Sequence, residues 1–196
     1  GSNLKAIIEA KKRGDCPISI ELVISNKKQA KGLKIAQENH IPTHVVIAED
    51  YHEKKDYEKA ILTILNDQKI DWIVLAGYMK LIGPTILDAF KDKIINIHPS
   101  LLPKFKGLNA QKQAFDAGVK QTGCTVHFVD ESLDGGTIIA QETVMVSDED
   151  TLESLTDKIL QKEHQLYPKV LQQLAQGIIK KSGDEMVFCK EKKEQK

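Results

Sequence analysis

The chain is predicted to fold as an α/β domain, a doubly wound and mainly parallel sheet with helices on both faces. Apolar residues alternate along the chain between helix-like and strand-like periods. The runs at 18–24 and 72–76 are also β-branched and apolar enough to be strands buried on both sides. No repeat, linker or domain break interrupts the pattern, so 1–196 reads as a single domain, a size that buries a core without disulfides or a structural metal.

Taken in order, the first helix is expected over about 3–13, with Leu4, Ile7 and Ile8 on one face and Ser2 or Asn3 as its cap. A strand at 18–24 ends at Ser25-Asn26, and a helix over about 28–39 leads to a strand at 44–48. Tyr57, Ala60, Ile61, Ile64 and Leu65 recur at i, i+3, i+4, i+7 and i+8, the clearest amphipathic helix in the chain. A core strand follows at 72–76 and stops at Gly77; Pro84 opens a short helix, and 94–98 is the next strand. Beyond it, 123–129 and 137–146 read as strands joined by a turn-rich loop. A long helix over about 151–176 carries an apolar stripe through Leu155, Ile159, Leu166 and Val170, and Gly177 ends it. The stretch 178–189 reads as a hairpin turning at Ser182-Gly183-Asp184, and 190–196 as a charged, solvated tail. A doubly wound sheet ordinarily opens on a strand that feeds the first helix, whereas here the helix comes at once. About ten residues of first strand are therefore expected to be missing from the sequence.

Composition narrows the function classes. Basic and acidic residues number 28 each, so no global basic field points to nucleic acid or an anionic membrane. No apolar run approaches the ~18 residues of a membrane span, and the start lacks a signal-peptide core. Cys16, Cys124 and Cys189 are odd in number and outside any CxxC pattern, which fits a reducing cytoplasm and argues against a zinc site.

The most informative segment is Asn96-Ile97-His98-Pro99-Ser100-Leu101-Leu102-Pro103. Side chains alternate along a strand, so Asn96 and His98 face one way while Ile95 and Ile97 face the other. Two polar groups thus project together from the strand's carboxyl end, where open α/β sheets bind ligands. A histidine that handles charge or protons works best beside a carboxylate that orients it. Asp134, in a Leu-Asp-Gly-Gly loop, is a candidate, although an Asp before Gly-Gly read alone is more often a turn residue.

The segment 96–103, then Gly107-Leu108, the run Gly123-Cys124-Thr125-Val126-His127-Phe128-Val129-Asp130, Leu133-Asp134-Gly135-Gly136, and finally Glu163-His164 with Tyr167-Pro168 resemble the phosphoribosylglycinamide formyltransferases in order and spacing. The resemblance extends from Gly1 to about Gly177. It implies transfer of a formyl group from 10-formyltetrahydrofolate, as cosubstrate and without a metal, to the amine of glycinamide ribonucleotide in purine synthesis. It implies Asn96, His98 and Asp134 as the catalytic residues, and Gly1, Ser2 and Asn3 as the grip on the substrate phosphate; read alone, that triplet is a plain helix cap. Lys54 falls where the family usually has an arginine near the substrate, with Lys55 and Lys80 as further cations. Glu163 matches a carboxylate that contacts the substrate amine. The pterin is expected against Met79, Lys80, Leu81 and Ile82 and against the backbone from Glu131 to Asp134. Expected partners are these two small molecules, with no nucleic acid or membrane, and the chain is expected as a monomer or weak homodimer in the cytoplasm.

The chain departs from the family pattern at Lys106, where proline is usual, at Asn109 and Gln111, where histidines are common, and at Lys54 and Lys80. Lysine does not reproduce the bidentate contacts of arginine, so substrate contacts change more than the reaction does. A formyltetrahydrofolate hydrolase is the nearest alternative, but that family carries an extra N-terminal domain for which the chain has no room. A methionyl-tRNA formyltransferase would need a C-terminal tRNA-binding domain. A noncatalytic folate or nucleotide binder would have no need of Asn96, His98 and Asp134 together.

Overall fold

A computed structural model describes residues 1–183 and 185–188. In chain order these form α1 (Ser2–Arg13), β1 (Val23–Ser25), α2 (Lys31–Glu38), β2 (Thr43–Val45), a 3₁₀ turn (Ala48–Asp50), α3 (Lys54–Asp67), β3 (Ile73–Leu75), α4 (Pro84–Ala89), β4 (Ile94–His98), α5 (Ala110–Asp116), β5 (Gln121–Phe128), β6 (Ile138–Met145), α6 (Leu152–Ala175), β7 (Ile179–Ser182) and β8 (Glu185–Phe188). The α/β class is the one expected. Parallel pairing belongs to the first half, β1 with β2 and β3 with β4. The second half adds β5 and β6 antiparallel, giving the order β3-β4-β5-β6. Among the described residues no ladder joins β1 to β3.

Two apolar layers sandwich β4. Ile95 and Ile97 pack with Ile7 and Ala10 of α1 and with Leu155, Ile159, Leu166 and Val170 of α6. Ile94 packs on the other side with Tyr57, Ile61 and Leu65 of α3, Ile86 of α4 and Phe90 just past its end. Each such fully buried aliphatic side chain contributes about 1.5–3 kcal/mol of transfer free energy, and covering both faces makes β4 the rigid centre of the fold. Thr151 starts α6 with a capping box, its hydroxyl accepting from the Ser154 N–H while the Ser154 hydroxyl accepts from the Thr151 N–H. Deep in the core the Tyr167 hydroxyl donates to the Leu75 carbonyl at 2.7 Å, tying α6 to β3.

Several expectations change. The strand expected at 18–24 forms a ladder only at Val23–Ser25, where it pairs with β2. The core strand expected at 72–76 forms its ladder at Ile73–Leu75, with Val74 packed on one apolar layer and Ile73 and Leu75 on the other, but it is half-buried along its length and Trp72 is 36% exposed. The second helix begins at Lys31 because 27–30 closes a turn, Ala30 donating to the Lys27 carbonyl. The strand expected at 44–48 is Thr43–Val45, with a 3₁₀ turn taking up its end. The helix α5, which periodicity did not single out, starts behind Asn109 in the left-handed region at φ +57°. Neither Ser2 nor Asn3 caps α1; the helix already includes both, Gly1 holds the cap position, and no side chain bonds there. The hairpin forms as expected, with Ser182 opposite Glu185. Asp184, Cys189 and 190–196 lie outside the described residues.

Candidate active site

Strand β4 carries Asn96 and His98 on the face opposite Ile95 and Ile97, and Pro99 ends it. The loop that follows is pinned by β5. Thr125 Oγ1 donates to the Ser100 carbonyl at 2.7 Å and accepts from the Leu102 N–H at 3.1 Å, while Gln141 of β6 reaches both Thr125 and the Leu102 carbonyl. The Ser100 hydroxyl donates to the Lys104 carbonyl at 2.6 Å. These bonds return the chain so that Phe105 C=O lies 2.9 Å from His98 Nε2. A carbonyl only accepts, so Nε2 carries a hydrogen.

The other ring nitrogen, Nδ1, is 3.4 Å from Asp134 Oδ2. His98 is buried, and a ring protonated at both nitrogens finds an acceptor at each one. Asp134 sits in the left-handed region at φ +46°, and its Oδ2 also accepts from the Gly107 N–H at 2.8 Å. Two residues on, a Cβ at Gly136 would stand 2.0 Å from the Phe128 carbonyl, so only glycine lets the loop lie this close to β5. The Gly-Gly that makes Asp134 look like a turn residue therefore also delivers its carboxylate to the histidine.

A second imidazole completes the cluster. His127 stands opposite Asn96 in the β4–β5 register, next to an irregularity in the β5–β6 pairing at Val126/His127. Its Nδ1–H donates to the Phe128 carbonyl at 2.8 Å, which leaves the Nε2 lone pair for the Asn96 amide N–H at 3.3 Å. Burial pushes the His127 pKa down, against the opposing pull of the Phe128 carbonyl and Asp134, so the ring is neutral and the amide orientation is fixed. Asp134 Oδ1 lies 3.8 Å from the same Nε2, which places one carboxylate against two imidazoles. The sequence reading assigned His127 no role; the signal was its parity with Thr125 on a strand facing β4.

A separate group forms where α1 meets α6. The Asn3 amide donates to Glu163 Oε2 at 2.7 Å. Glu163 is buried, which raises its pKa while the Asn3 bond opposes the rise. Its charge also adds to the burial that pushes the Cys124 thiol up to about 12. Lys54, Lys80 and Leu81 line a cleft of ≈ 440 Å³ with Ala48, Glu49, Tyr57 and Tyr78. Both lysines already have carboxylate neighbours there, Lys54 with Glu58 at 3.7 Å and Lys80 with Glu49 at 3.4 Å. Met79 is 76% exposed and Leu81 56% exposed, so neither packs in the core, whereas Ile82 packs on the α3–α4 layer. Glu131 is exposed beside the turn in which Asp130 accepts from Ser132. The expected site residues thus fall into three groups: Asn96, His98 and Asp134, with Glu131 on the Asp134 loop; Gly1, Ser2 and Asn3 with Glu163; and Lys54 with 79–82.

Residues 1–171 match the family described as formyl transferase. This chain belongs to the formyl transferase family. It is 46% identical over 174 residues to the phosphoribosylglycinamide formyltransferase of Bacillus subtilis, covering 89% of each chain. The solved phosphoribosylglycinamide formyltransferase of Bacillus halodurans superposes with a TM-score of 0.87 at 48% identity, over 89% of this formyl transferase and 90% of that chain. The human trifunctional purine biosynthetic protein adenosine-3 is 40% identical over 99% of this chain, which spans 19% of that protein's length. Among the described residues of this formyl transferase no helix is long and apolar enough to cross a membrane, and no group of three or more His, Cys, Asp or Glu is placed to hold a metal.

Proposed function

We propose that the chain transfers the formyl group of 10-formyltetrahydrofolate to the amine of glycinamide ribonucleotide, giving formylglycinamide ribonucleotide and tetrahydrofolate in purine biosynthesis. One observation carries this reading: an oriented amide N–H on Asn96, an imidazole on His98 between two acceptors, and the Asp134 carboxylate converge at one strand end in a chain of this family.

The amine lone pair forms the new C–N bond at the formyl carbon, and the C=O π pair moves onto oxygen. Asn96 donates a hydrogen bond to that oxyanion, and His98 does so through its Nδ1–H, which stands 3.4 Å from Asp134 and is shared between the two. Asp134 holds His98 in place and helps move the amine proton, through water, to the folate nitrogen released when its bond to the formyl carbon breaks. Atoms and charge balance without a covalent enzyme intermediate.

Backbone N–H groups of Gly1, Ser2 and Asn3 at the start of α1 suit the substrate phosphate. The Asn3 side chain is engaged with Glu163, so the main chain supplies that contact. Glu163 is assigned to the glycinamide end and Lys54 to the ribonucleotide. Met79, Lys80, Leu81, Ile82, Glu131 and Asp134 are assigned to the folate, with the exposed apolar side chains at 79 and 81 as walls. On this assignment the N-terminal half of one domain holds the phosphate and the C-terminal half the folate and the chemistry. The enzyme works in the cytoplasm as a monomer or weak homodimer, with no metal, nucleic acid or membrane. The test follows folate absorbance with 10-formyltetrahydrofolate, with and without glycinamide ribonucleotide. Product that requires the amine supports transfer; formyl loss without the amine replaces this reading with a hydrolase.

A further inference from the structure

One short loop carries partners of both His98 and Asp134. Phe105 supplies the carbonyl that accepts from His98 Nε2 at 2.9 Å, and Gly107 the N–H that donates to Asp134 Oδ2 at 2.8 Å. Backbone preference alone does not hold this shape. Phe105, Gly107 and Asn109 take left-handed φ values of +56°, +78° and +57°. Glycine adopts that region freely, whereas a bulky residue such as Phe105 is strained in it and stays only where its surroundings hold it. Lys106 between them has no ring to fix its own φ, as a proline would.

The hold comes from both ends of the loop. The Ser100 hydroxyl anchors the near end through the Lys104 carbonyl, and Gln113, one turn into α5, reaches back to the far end. Gln113 Nε2 donates to the Lys106 carbonyl at 3.0 Å and to the Leu108 carbonyl at 2.9 Å. An amide nitrogen carries two hydrogens, and here each has a carbonyl; turned over, the amide oxygen would face both carbonyls. The Lys106 C=O and the Gly107 N–H belong to one planar trans peptide, in which they point in opposite directions. Gln113 therefore grips one side of the peptide plane whose other side donates to Asp134. Each bond polarises the next, so the gripped N–H is also the better donor.

We propose that Gln113 is a positioning residue: by fixing the 106–107 peptide plane it aims the Gly107 N–H at Asp134 and sets that carboxylate against His98. The same grip keeps the Phe105 carbonyl on the ring's other nitrogen, so one exposed amide closes a hydrogen-bonded circuit around the imidazole. Gln113 acts through the loop rather than on the substrates. A ring that must present an N–H to a developing oxyanion needs a fixed plane, because small misplacements of a reacting group cost rate. The inference deepens the formyl-transfer reading and rests on it for its kinetic effect.

The test is Gln113→Met, which keeps the length and helix preference of the side chain without its N–H groups. Gln113 is exposed, so the fold should persist, with an unchanged circular dichroism spectrum. Without substrates, imidazole NMR on the full chain follows the hydrogen on His98 Nε2, whose exchange with water is expected to quicken about fivefold in the variant. With 10-formyltetrahydrofolate and glycinamide ribonucleotide, kcat is expected to fall roughly tenfold, the usual effect of losing two ordinary hydrogen bonds, while both KM values stay within about twofold. Unchanged exchange overturns the inference whatever the chain catalyses. An unchanged kcat also overturns it, as does a rise in KM alone, which would make the loop a substrate contact. Quickened exchange in a chain whose wild type transfers no formyl group to the amine upholds the positioning of His98 and overturns the formyl-transfer reading instead.

Discussion

Asn96 and His127 face each other across the β4–β5 pair, and the Asn96 amide donates to His127 Nε2 over 3.3 Å. Because His127 spends its own N–H on the Phe128 carbonyl, the bond has one direction and leaves the second Asn96 hydrogen free. His127→Phe keeps a buried ring and removes the acceptor. A neutral hydrogen bond is worth about 1 kcal/mol, so kcat should fall roughly five- to tenfold with KM unchanged. Asn96→Ala, which deletes the donor itself, should cost about 10²–10³ in kcat. Steady-state kinetics on both variants check the ordering, and an unchanged kcat in His127→Phe would leave His127 a purely structural residue.

Acid should oppose the same bond. Burial holds the His127 pKa below its ordinary value of 6.5, so the folded chain resists a proton that the unfolded chain accepts. Folding stability contributed here is complete above 6.5 and declines as pH falls below it toward the depressed folded value. Protonation also puts a hydrogen on Nε2, facing the Asn96 N–H. Wild-type kcat should therefore carry an acidic limb below pH 6.5 that His127→Phe lacks; matching pH profiles would contradict this.

Asp134→Asn preserves shape and leaves an oxygen to accept from Gly107, but removes the charge against the His98 and His127 rings. Turnover should drop about 10²–10⁴, the usual worth of positioned acid–base assistance. Circular dichroism and Tm should stay close to wild type. Near-normal turnover would exclude Asp134 from the reaction.

Glu163 titrates in the opposite sense. Burial raises its pKa above 4.5, so its charged form is disfavoured in the folded chain. Stability from this group is complete below 4.5 and is lost as pH rises through the raised folded value. Glu163→Gln can still accept from Asn3 and carries no charge, so it should raise Tm at pH 8 and give no gain near pH 4. Thermal melts at the two pH values decide it; a lower Tm at pH 8 would mean that the charge itself holds α1 to α6.

Thr151→Ala removes the hydroxyl that accepts from Ser154 and breaks the box at the start of α6. The loss should be about 1 kcal/mol, or roughly 2–4 °C in Tm, without altered kinetics.

Much of the fold could be read from the sequence because it follows local rules. The i, i+3, i+4 spacing from Tyr57 to Leu65 places α3, the β-branched run at Ile94–His98 marks β4 to the residue, and strand alternation puts Asn96 and His98 on one side. The boundaries that shifted are those where a strand's length depends on its neighbours. Residues 18–22 have the composition of a strand, yet among the described residues a ladder forms only at Val23–Ser25, opposite β2. The sequence determined by itself which residues lie on the strand end, on the loop and on the long helix. Only the tertiary structure decided that His127 orients Asn96 from 31 residues away, that Phe105 C=O and Asp134 take the two nitrogens of His98, and that Asn3 engages Glu163 rather than capping its own helix. Hydrogen bonds between distant segments depend on register and burial, which no local spacing encodes.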